Sequence, residues 1–393
     1  MIELSTKAET TENTEPQVFD LPENHEPFTD KYFLRSKQIL ESEDLNPEIS
    51  MKVFARGEGP VAGLEEARAI VEEYAETSEI ELYRTQKDEF ETKEPLMVLK
   101  GPAQELIELE TMYLGAVSHG LTEAHPEHET VDPEEFGENV GEVTEIYDVP
   151  LLEFGARHYH WSDTEELARA AYDNGAVATS TDAGAATFGE EGVGTTPHAL
   201  TIILGEEYGR EKATRKTAEL FDEHMPGEIP RTTLVDTWNR EIDDALETSE
   251  YFEGRDVDYG FRVDTCGENI AQGGVPEKTG AGAYETGSGV RIESVKALKD
   301  ALLEHGYDDA DIVLSSGFGN PEKAEAFHQA NVDYENETGH RLFDAVGAGA
   351  FVDGVHATAD IYEVNGQEYA KVGREVDSDA MDDFIDRQME RVV

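Results

Sequence analysis

The sequence predicts an α/β fold with a parallel sheet, and the spacing of its strands favours a barrel over an open sheet. From residue 146 to residue 354, short apolar strands alternate with amphipathic helices, which is the pattern of parallel βαβ units. Before this region, strands and helices are mixed without that alternation. After it, the pair Asn365–Gly366 lies between two segments of alternating polarity and predicts a β-hairpin.

The first part of the chain predicts a flexible tail followed by an α/β domain. Residues 1–26 are acidic and have no apolar period. Residues 27–145 contain strand-like segments around an amphipathic helix at Leu64–Tyr74, followed by a second, longer helix. The acidic, glycine-bearing stretch 125–142 predicts a linker or an exposed loop. We expect residues 355–393, which contain the hairpin, to fold back onto this domain.

Within the barrel region, one helix has clear signals at both of its ends. Ser162 and Glu165 have the spacing of a capping box at the helix start, and Gly175 is a stop signal at its end.

The composition restricts the possible partners and the environment. The chain has 88 acidic and 31 basic residues, which gives a net charge of −57. Such a surface excludes general affinity for nucleic acid or for anionic membranes. Because the acids are spread along the whole chain, we interpret them as adaptation to a high-salt cytoplasm; a special cationic partner is the alternative.

Cys266 is the only cysteine, which excludes an intrachain disulfide and a cysteine-built metal site. No apolar run reaches the roughly 18 residues of a membrane helix. The chain also begins without the pattern of a signal peptide, so we expect a cytoplasmic protein.

Candidate functional residues follow the predicted barrel strands, because catalytic groups of such barrels lie at the carboxyl ends of the strands. Two glycine loops, 315–317 and 347–349, end the last two strands and can let backbone N–H groups approach a phosphate. Their glycines could also simply end the strands. Arg157, next to His158, could hold a carboxylate in two hydrogen bonds, and Phe154 could be a core residue or a stacking surface.

Three further residues are candidates for chemistry. His198 lies at a loop-to-helix junction and could be a nucleophile, an acid or base, or a structural residue. Asp236 and Asp264 could orient ribose hydroxyls or a Mg²⁺ ion, or could cap the turns that follow them.

Seven segments of the chain together resemble the ordered motifs of the nicotinate phosphoribosyltransferases of the archaeal type: FGARHYH, STDAGAATFG, GVGTTPHAL, TLVDTW, FRVDT, SSGFGN and VGAGAF. The acidic composition is that of a member from a halophile. The resemblance extends from Asp30 to Glu375. It implies an irregular parallel α/β barrel (TIM-like) with an N-terminal α/β domain that is joined by the C-terminal segment.

The resemblance also implies a reaction. Phosphoribosyl would be transferred from phosphoribosyl pyrophosphate (PRPP) to nicotinate, giving nicotinate mononucleotide and pyrophosphate in NAD biosynthesis (salvage). ATP as co-substrate would be hydrolysed through a phosphohistidine, and Mg²⁺ would accompany PRPP and pyrophosphate.

By this resemblance, five residues would contact the pyridine and the ribose. Phe154 is similar to the aromatic residue that stacks on the pyridine ring, and Arg157 to the basic residue near its carboxylate. Asp182 resembles an acid that lines the pyridine pocket. Arg262 and Asp264 resemble the pair that contacts ribose and phosphates.

The remaining roles also follow from the resemblance. His198 resembles the phosphorylated histidine and Asp236 an acid near the ribose of PRPP, so these two and Asp264 would be catalytic. Tyr32 resembles an aromatic residue that closes the pyridine site of a neighbouring subunit, which implies a homodimer with composite active sites. The nucleotide phosphate would lie against Ser316, Gly317, Gly347 and Gly349.

The sequence departs from the family pattern at His158, where members often have a second arginine, and in the glycine-rich insertion 265–290. Quinolinate phosphoribosyltransferase, which decarboxylates its substrate, is the alternative within the class, but it requires more basic residues. A non-catalytic nucleotide-binding protein on the same scaffold is another. An aldolase-type phosphate-binding barrel would need a Schiff-base lysine at a strand end, and no predicted barrel strand has one.

Overall fold

The computed structural model describes residues 18–76 and 78–393, so most of the predicted tail, residues 1–17, lies outside the described part. The described strands are β1 (Glu48–Ala55), β2 (Gly59–Pro60), β3 (Glu81–Thr85), β4 (Glu89–Phe90), β5 (Pro95–Pro102), β6 (Leu151–Glu153), β7 (Ala178–Thr179), β8 (Arg231–Leu234), β9 (Tyr259–Val263), β10 (Asp311–Leu314), β11 (Ala345–Ala348), β12 (Ala357–Val364), β13 (Gln367–Glu368) and β14 (Met389–Arg391). The described α-helices are α1 (Lys31–Ser42), α2 (Leu64–Tyr74), α3 (Ala103–Ala124), α4 (Pro133–Ile146), α5 (Thr164–Asp173), α6 (Asp182–Ala186), α7 (His198–Tyr208), α8 (Arg210–His224), α9 (Glu241–Phe252), α10 (Ile292–Glu304), α11 (Pro321–Thr338) and α12 (Ser378–Gln388).

An antiparallel sheet organises the N-terminal domain, with the strand order β13-β12-β1-β5-β3-β14. Three of its six strands come from the C-terminal segment. Strand β12 pairs with the central strand β1, where Met51 lies opposite Ile361, and β14 pairs with β3, where Met389 lies opposite Thr85. The C-terminal segment is therefore an integral part of the N-terminal sheet.

The predicted hairpin connects β12 to β13 and is confirmed. Asn365 has φ 51° and Gly366 has φ 70°. Positive φ at both central residues is the backbone of a two-residue type I′ turn, which Asn-Gly adopts at low cost.

A parallel sheet with the strand order β7-β6-β11-β10-β9-β8 forms the second half of the molecule. Helices α9, α10 and α11 connect its consecutive strands β8 to β11, as the alternation in the sequence predicted. The sheet is curled into a half-barrel, with β7 and β8 as its edges, and the predicted fold class is confirmed. All six carboxyl ends point to one side, where the loops that follow them meet.

Helix α7 joins the two halves. It begins at His198, just after the parallel strand β7 and its short helix, yet its buried residues Leu200, Ile203 and Leu204 pack into the core of the N-terminal domain. Apolar residues surround this helix on all sides, as expected for a helix buried between two layers. His198 is thereby held at the junction of the two domains.

Helix α4 corrects the prediction of a linker at residues 125–142. Its buried residues Phe136, Val140 and Val143 recur at helical spacing and pack against α5 and α11. The Asp132 side chain caps the helix by accepting two backbone N–H groups of the first turn. The many acids between these positions face away from the core and obscured the apolar period.

The predicted capping box at Ser162 and Glu165 is wrong. A turn of 3-10 helix, Trp161–Asp163, precedes α5 and delays its start beyond Ser162. The stop signal at the other end is confirmed, because Gly175 has φ 105° directly after the helix.

The glycine-rich insertion 265–290 packs against the start of α9. Oε1 of Gln272 accepts hydrogen bonds from the backbone N–H groups of Ile242 at 2.9 Å and Asp243 at 3.1 Å. The backbone N–H of Gln272 donates to Glu241 Oε2 at 2.8 Å. The insertion thus supplies the cap of that helix. None of the described helices is long and apolar enough to cross a membrane.

Candidate active site

A cavity of about 400 Å³ lies at the carboxyl ends of the parallel strands and is covered by the N-terminal domain. Strands β1 and β12 and the start of α1 supply the cover. All predicted site residues line this cavity except Asp182 and Asp236. The lining residues predicted from the sequence are Tyr32, Phe154, Arg157, His198, Arg262, Asp264, Ser316, Gly317, Gly347 and Gly349.

Asp182 does not reach the cavity. Its carboxylate pairs with Lys31 Nζ at 2.5 Å and accepts the backbone N–H of Gly192 at 2.9 Å. Both contacts tie the first turn of α6 to α1 and to the following loop. Asp182 therefore connects these segments and does not line the cavity of the predicted pyridine site.

An aromatic and cationic cluster occupies one end of the cavity. The ring of Tyr32 contacts two guanidinium groups, and the Cζ atoms of Arg157 and Arg262 each lie 5.7 Å from the ring centroid. Nη1 of Arg157 contacts Glu110 Oε1 at 3.1 Å, and its Nε lies 3.4 Å from Asp30 Oδ2. Arg157 is still one-third exposed, so part of its guanidinium is open to a ligand.

Tyr32 lies at the cavity of its own chain, whereas the resemblance predicts a position at the site of a neighbouring subunit. Its side chain is buried within its own chain, and its hydroxyl donates to Asp30 Oδ2 at 3.3 Å. Helix α1 is short and packs on α3 of the same chain, so Tyr32 meets Arg157 of the same chain. The homodimer with composite active sites stays a prediction.

Asp30 and Glu110 are site residues that sequence reasoning missed. Glu110 lies in α3 four residues from both Leu106 and Leu114, at a position where the helix is buried. Burial raises the pKa of Glu110 to about 7, although the Arg157 guanidinium opposes the shift. An acid in the apolar face of a predicted helix was the available signal.

His198, Asp236 and Lys371 form a second cluster. Nε2 of His198 lies 3.1 Å from Asp236 Oδ2 and 2.7 Å from Lys371 Nζ. Lys371 also forms an ion pair with Asp236 and donates to the backbone oxygen of Asp264 at 3.0 Å. Asp236 is fully buried behind the imidazole, which is why it does not line the cavity itself.

The charges of this cluster follow from its burial. Burial and then the Lys371 ammonium lower the pKa of His198, so the imidazole is neutral near pH 7. Burial alone would raise the pKa of Asp236, but Lys371 and His198 outweigh it and hold that pKa below its usual range. A neutral ring therefore faces a permanently ionised carboxylate.

Lys371 could not be identified from the sequence. It lies after β13 in the C-terminal segment, which was expected only to pack on the N-terminal domain. No motif surrounds it, and the tertiary pairing of β12 with β1 is what carries this loop to His198.

The two glycine loops require glycine for different reasons: close packing in one loop and a positive φ in the other. A side chain at Gly347 would clash with the ring of Phe154, and one at Gly349 would clash with the backbone of Phe154. These two glycines seat the aromatic ring against β11. In the other loop, Gly317 has φ 79° and open space beside its Cα atom, and Ser316 has φ 77°.

Asp264 connects this loop to the rest of the site. Its Oδ1 accepts the hydroxyl of Ser315 at 2.9 Å, and the backbone N–H of Ser315 donates to Val263 at 2.9 Å. The Arg262 side chain, two residues before Asp264, donates to the Thr196 carbonyl at 3.3 Å. The ends of β9 and β10 thus present a carboxylate, a guanidinium and a glycine loop to one volume.

Comparisons with known proteins agree with this architecture. Residues 30–120 match the family model of the quinolinate phosphoribosyl transferase N-terminal domain. A nicotinate phosphoribosyltransferase from Vibrio cholerae superposes with a TM-score of 0.65 at 12% identity, covering 92% of this chain and 96% of that one. A candidate nicotinate phosphoribosyltransferase from Saccharomyces cerevisiae gives 0.62 at 14% identity, covering 91% and 96%.

A third solved structure, the nicotinate phosphoribosyltransferase from Porphyromonas gingivalis, superposes with a TM-score of 0.58 at 14% identity, over 88% of this chain and 92% of the other. These likenesses extend over both domains, and the family model covers the first domain separately. The chain therefore has the two-domain fold of the nicotinate phosphoribosyltransferases.

Proposed function

We propose that this protein is a nicotinate phosphoribosyltransferase that forms nicotinate mononucleotide and pyrophosphate from nicotinate and PRPP. One observation carries the proposal. A single cavity combines an aromatic ring seated on glycine, Phe154, a partly open guanidinium, Arg157, and a glycine loop at Ser316 and Gly317 with open space beside it. These features suit, in turn, a flat ring, its carboxylate and a sugar phosphate.

The chemistry requires positioning more than covalent catalysis. As the bond between ribose C1 and pyrophosphate breaks, the pyridine nitrogen donates its electron pair to C1 and pyrophosphate leaves with the bonding electrons. Arg157 and Phe154 would hold the pyridine so that its nitrogen faces C1. Asp264 would stabilise the positive charge that develops on the ribose ring.

The His198 cluster supports coupling to ATP. The neutral ring has a lone pair that can attack the γ-phosphorus of ATP, forming an N–P bond as the P–O bond to ADP breaks. Asp236 would stabilise the positive charge that develops on the imidazole, and Lys371 would neutralise the arriving phosphoryl oxygens. Hydrolysis of the phosphohistidine by water would complete the ATP reaction.

Mg²⁺ would enter with the pyrophosphate group. No group of three or more His, Cys, Asp or Glu side chains in the described ranges is arranged to hold a metal ion. Mg²⁺ at phosphate-transfer sites is held largely by substrate phosphates and one or two carboxylates. Asp264, whose carboxylate lines the cavity and uses one oxygen for Ser315, fits that limited role.

A quinolinate-using enzyme is the second candidate, because the family model that matches residues 30–120 is named for quinolinate transferases. Quinolinate has two carboxylates and needs a second open cation beside Arg157. The cavity's Arg374 is already paired with Asp360 at 3.3 Å and Glu268 at 3.4 Å. Arg262 also lines the cavity, and its only side-chain hydrogen bond among the described residues is to the Thr196 carbonyl. The cations of the cavity therefore do not separate the two acceptors, and the assay below does.

An assay at molar KCl with PRPP and Mg²⁺, with and without ATP, tests the proposal. Nicotinate, nicotinamide and quinolinate are compared as acceptors. We expect nicotinate to be strongly preferred, because an uncharged amide cannot match the guanidinium of Arg157. Equal turnover of nicotinate and nicotinamide would overturn the assignment, and release of CO₂ from quinolinate would favour the second candidate.

A further inference from the structure

Lys323 is a buried lysine in the first turn of α11 that takes no part in the chemistry described so far. Its side chain is 7% exposed, and its Nζ donates to the backbone oxygen of Ser316 at 2.6 Å. We propose that Lys323 is a positioning residue that turns the Ser316–Gly317 peptide so that its N–H group binds the phosphate of the nucleotide. This inference rests on the proposed function, and it names a residue that neither the motifs nor the cavity lining includes.

The geometry of one peptide bond carries the argument. The peptide between Ser316 and Gly317 is trans, and in a trans peptide the C=O and N–H groups point in opposite directions. Lys323 does not line the cavity, whereas Ser316 and Gly317 do. Anchoring the Ser316 carbonyl on Lys323 therefore directs the Gly317 N–H toward the cavity.

The loop has features of a prepared anion site. The Gly317 N–H has no acceptor among the described residues, and the space beside its Cα atom is open. Ser316 has φ 77°, a conformation that is unfavourable for a residue with a side chain. The hydrogen bond from Lys323 to the Ser316 carbonyl favours this conformation.

Aromatic rings surround the buried ammonium group of Lys323, and no carboxylate among the described residues is paired with it. Its Nζ lies 4.1 Å from the centroid of Phe318 and 5.6 Å from that of Phe327. Burying an ammonium group without a carboxylate is unfavourable, and such a group is retained where it has another use.

Electrostatics point the same way. Burial, and then the nearby Arg291, lower the pKa of Lys323 to about 7, against the attraction of Asp264. A dianionic phosphate on the other side of the peptide would favour the ammonium form. Ligand binding and the charge of Lys323 therefore support each other.

The test separates the phosphate from the rest of the ligand. Isothermal titration measures the binding of nicotinate mononucleotide and of nicotinate riboside, which lacks the phosphate, to wild type, Lys323→Met and Lys212→Met. Lys212 is an exposed lysine of α8 and serves as the matched control. We expect Lys323→Met to weaken the mononucleotide by roughly tenfold or more and to leave the riboside unchanged.

The outcomes are distinguishable. Equal weakening of both ligands, or no weakening of the mononucleotide, would overturn the role of Lys323. Failure of the wild type to bind either ligand would overturn the proposed function itself. If Lys323→Met does not fold, Lys323→Leu, whose branched apolar side chain is easily buried, takes its place with the same expected split between the ligands.

Discussion

At the scale of a single residue, we expect Glu110 to make the proposed pyridine site sensitive to pH. It contacts Arg157 at 3.1 Å, and burial raises its pKa to about 7. Below that pH the acid is neutral and leaves Arg157 free for a substrate carboxylate. Above it, the Glu110 carboxylate competes for the guanidinium and repels the substrate.

We therefore expect the KM for nicotinate to rise between pH 6 and pH 8 in the wild type. Glu110→Gln should remove most of this rise, because the amide does not ionise. Steady-state kinetics across this range are the measurement, with Glu123→Gln as a control on the exposed end of the same helix. A pH profile that is identical in wild type and Glu110→Gln would contradict the interpretation.

His198 supports a second prediction at this scale. We expect His198→Ala to abolish ATP hydrolysis and its coupling, while slow synthesis without ATP continues. The reason is that the proposed pyridine contacts, Phe154 and Arg157, lie in the loop after β6, whereas His198 begins α7. Simultaneous measurement of ADP and nicotinate mononucleotide checks this. ATP hydrolysis in step with product in the variant would show that another residue carries the phosphoryl group.

At the scale of an element, the glycines at the end of β11 allow the ring of Phe154 to pack closely against its backbone. We expect Gly347→Ala to displace Phe154, because the added methyl would clash with its ring. Overpacking of this kind costs roughly 1–3 kcal/mol, and the KM for nicotinate should rise with it. Urea unfolding and kinetics are the measurements, and Gly227→Ala, at an open position, is the control. Wild-type kinetics in Gly347→Ala would mean that Phe154 does not contact the pyridine.

The loop after β13 supports a prediction about stability. Lys371→Met leaves the fully buried Asp236 with only His198 as a partner. Removing one member of a buried ion pair destabilises a protein by roughly 3–5 kcal/mol. The double variant with Asp236→Asn should recover part of that loss in urea unfolding. Additive losses would show that the two groups do not interact.

Elements with a strong period were predictable from the sequence, whereas contacts between distant segments were not. The helices and strands of the barrel and the Asn365–Gly366 hairpin depend on local patterns. The strand-end residues Phe154, Arg157 and Asp264 were identifiable because parallel strands end on one side. Lys371 was not identifiable, because only the pairing of β12 with β1 brings it to the site.

For the whole molecule, the net charge of −57 predicts a requirement for salt. Mutual repulsion of the acids should loosen the fold in dilute buffer, and at about 1 M salt the Debye length falls to roughly 3 Å and screens it. We expect the melting temperature to rise steeply with KCl concentration. Choline chloride at equal ionic strength should give the same rise if screening is the cause. A melting temperature independent of salt would contradict the interpretation of the acids.

The pairing of β12 with the central strand β1 of the N-terminal sheet has a consequence for synthesis. During translation β1 and β5 are synthesised early, but β12 is synthesised only after all six strands of the parallel sheet. Until then β1 has an unpaired edge, which is a template for pairing with other nascent chains. Protection of that edge during translation is therefore part of producing the protein. Because Lys371 follows β13, it is also synthesised late, and a nascent chain that ends before β12 has only part of the proposed active site.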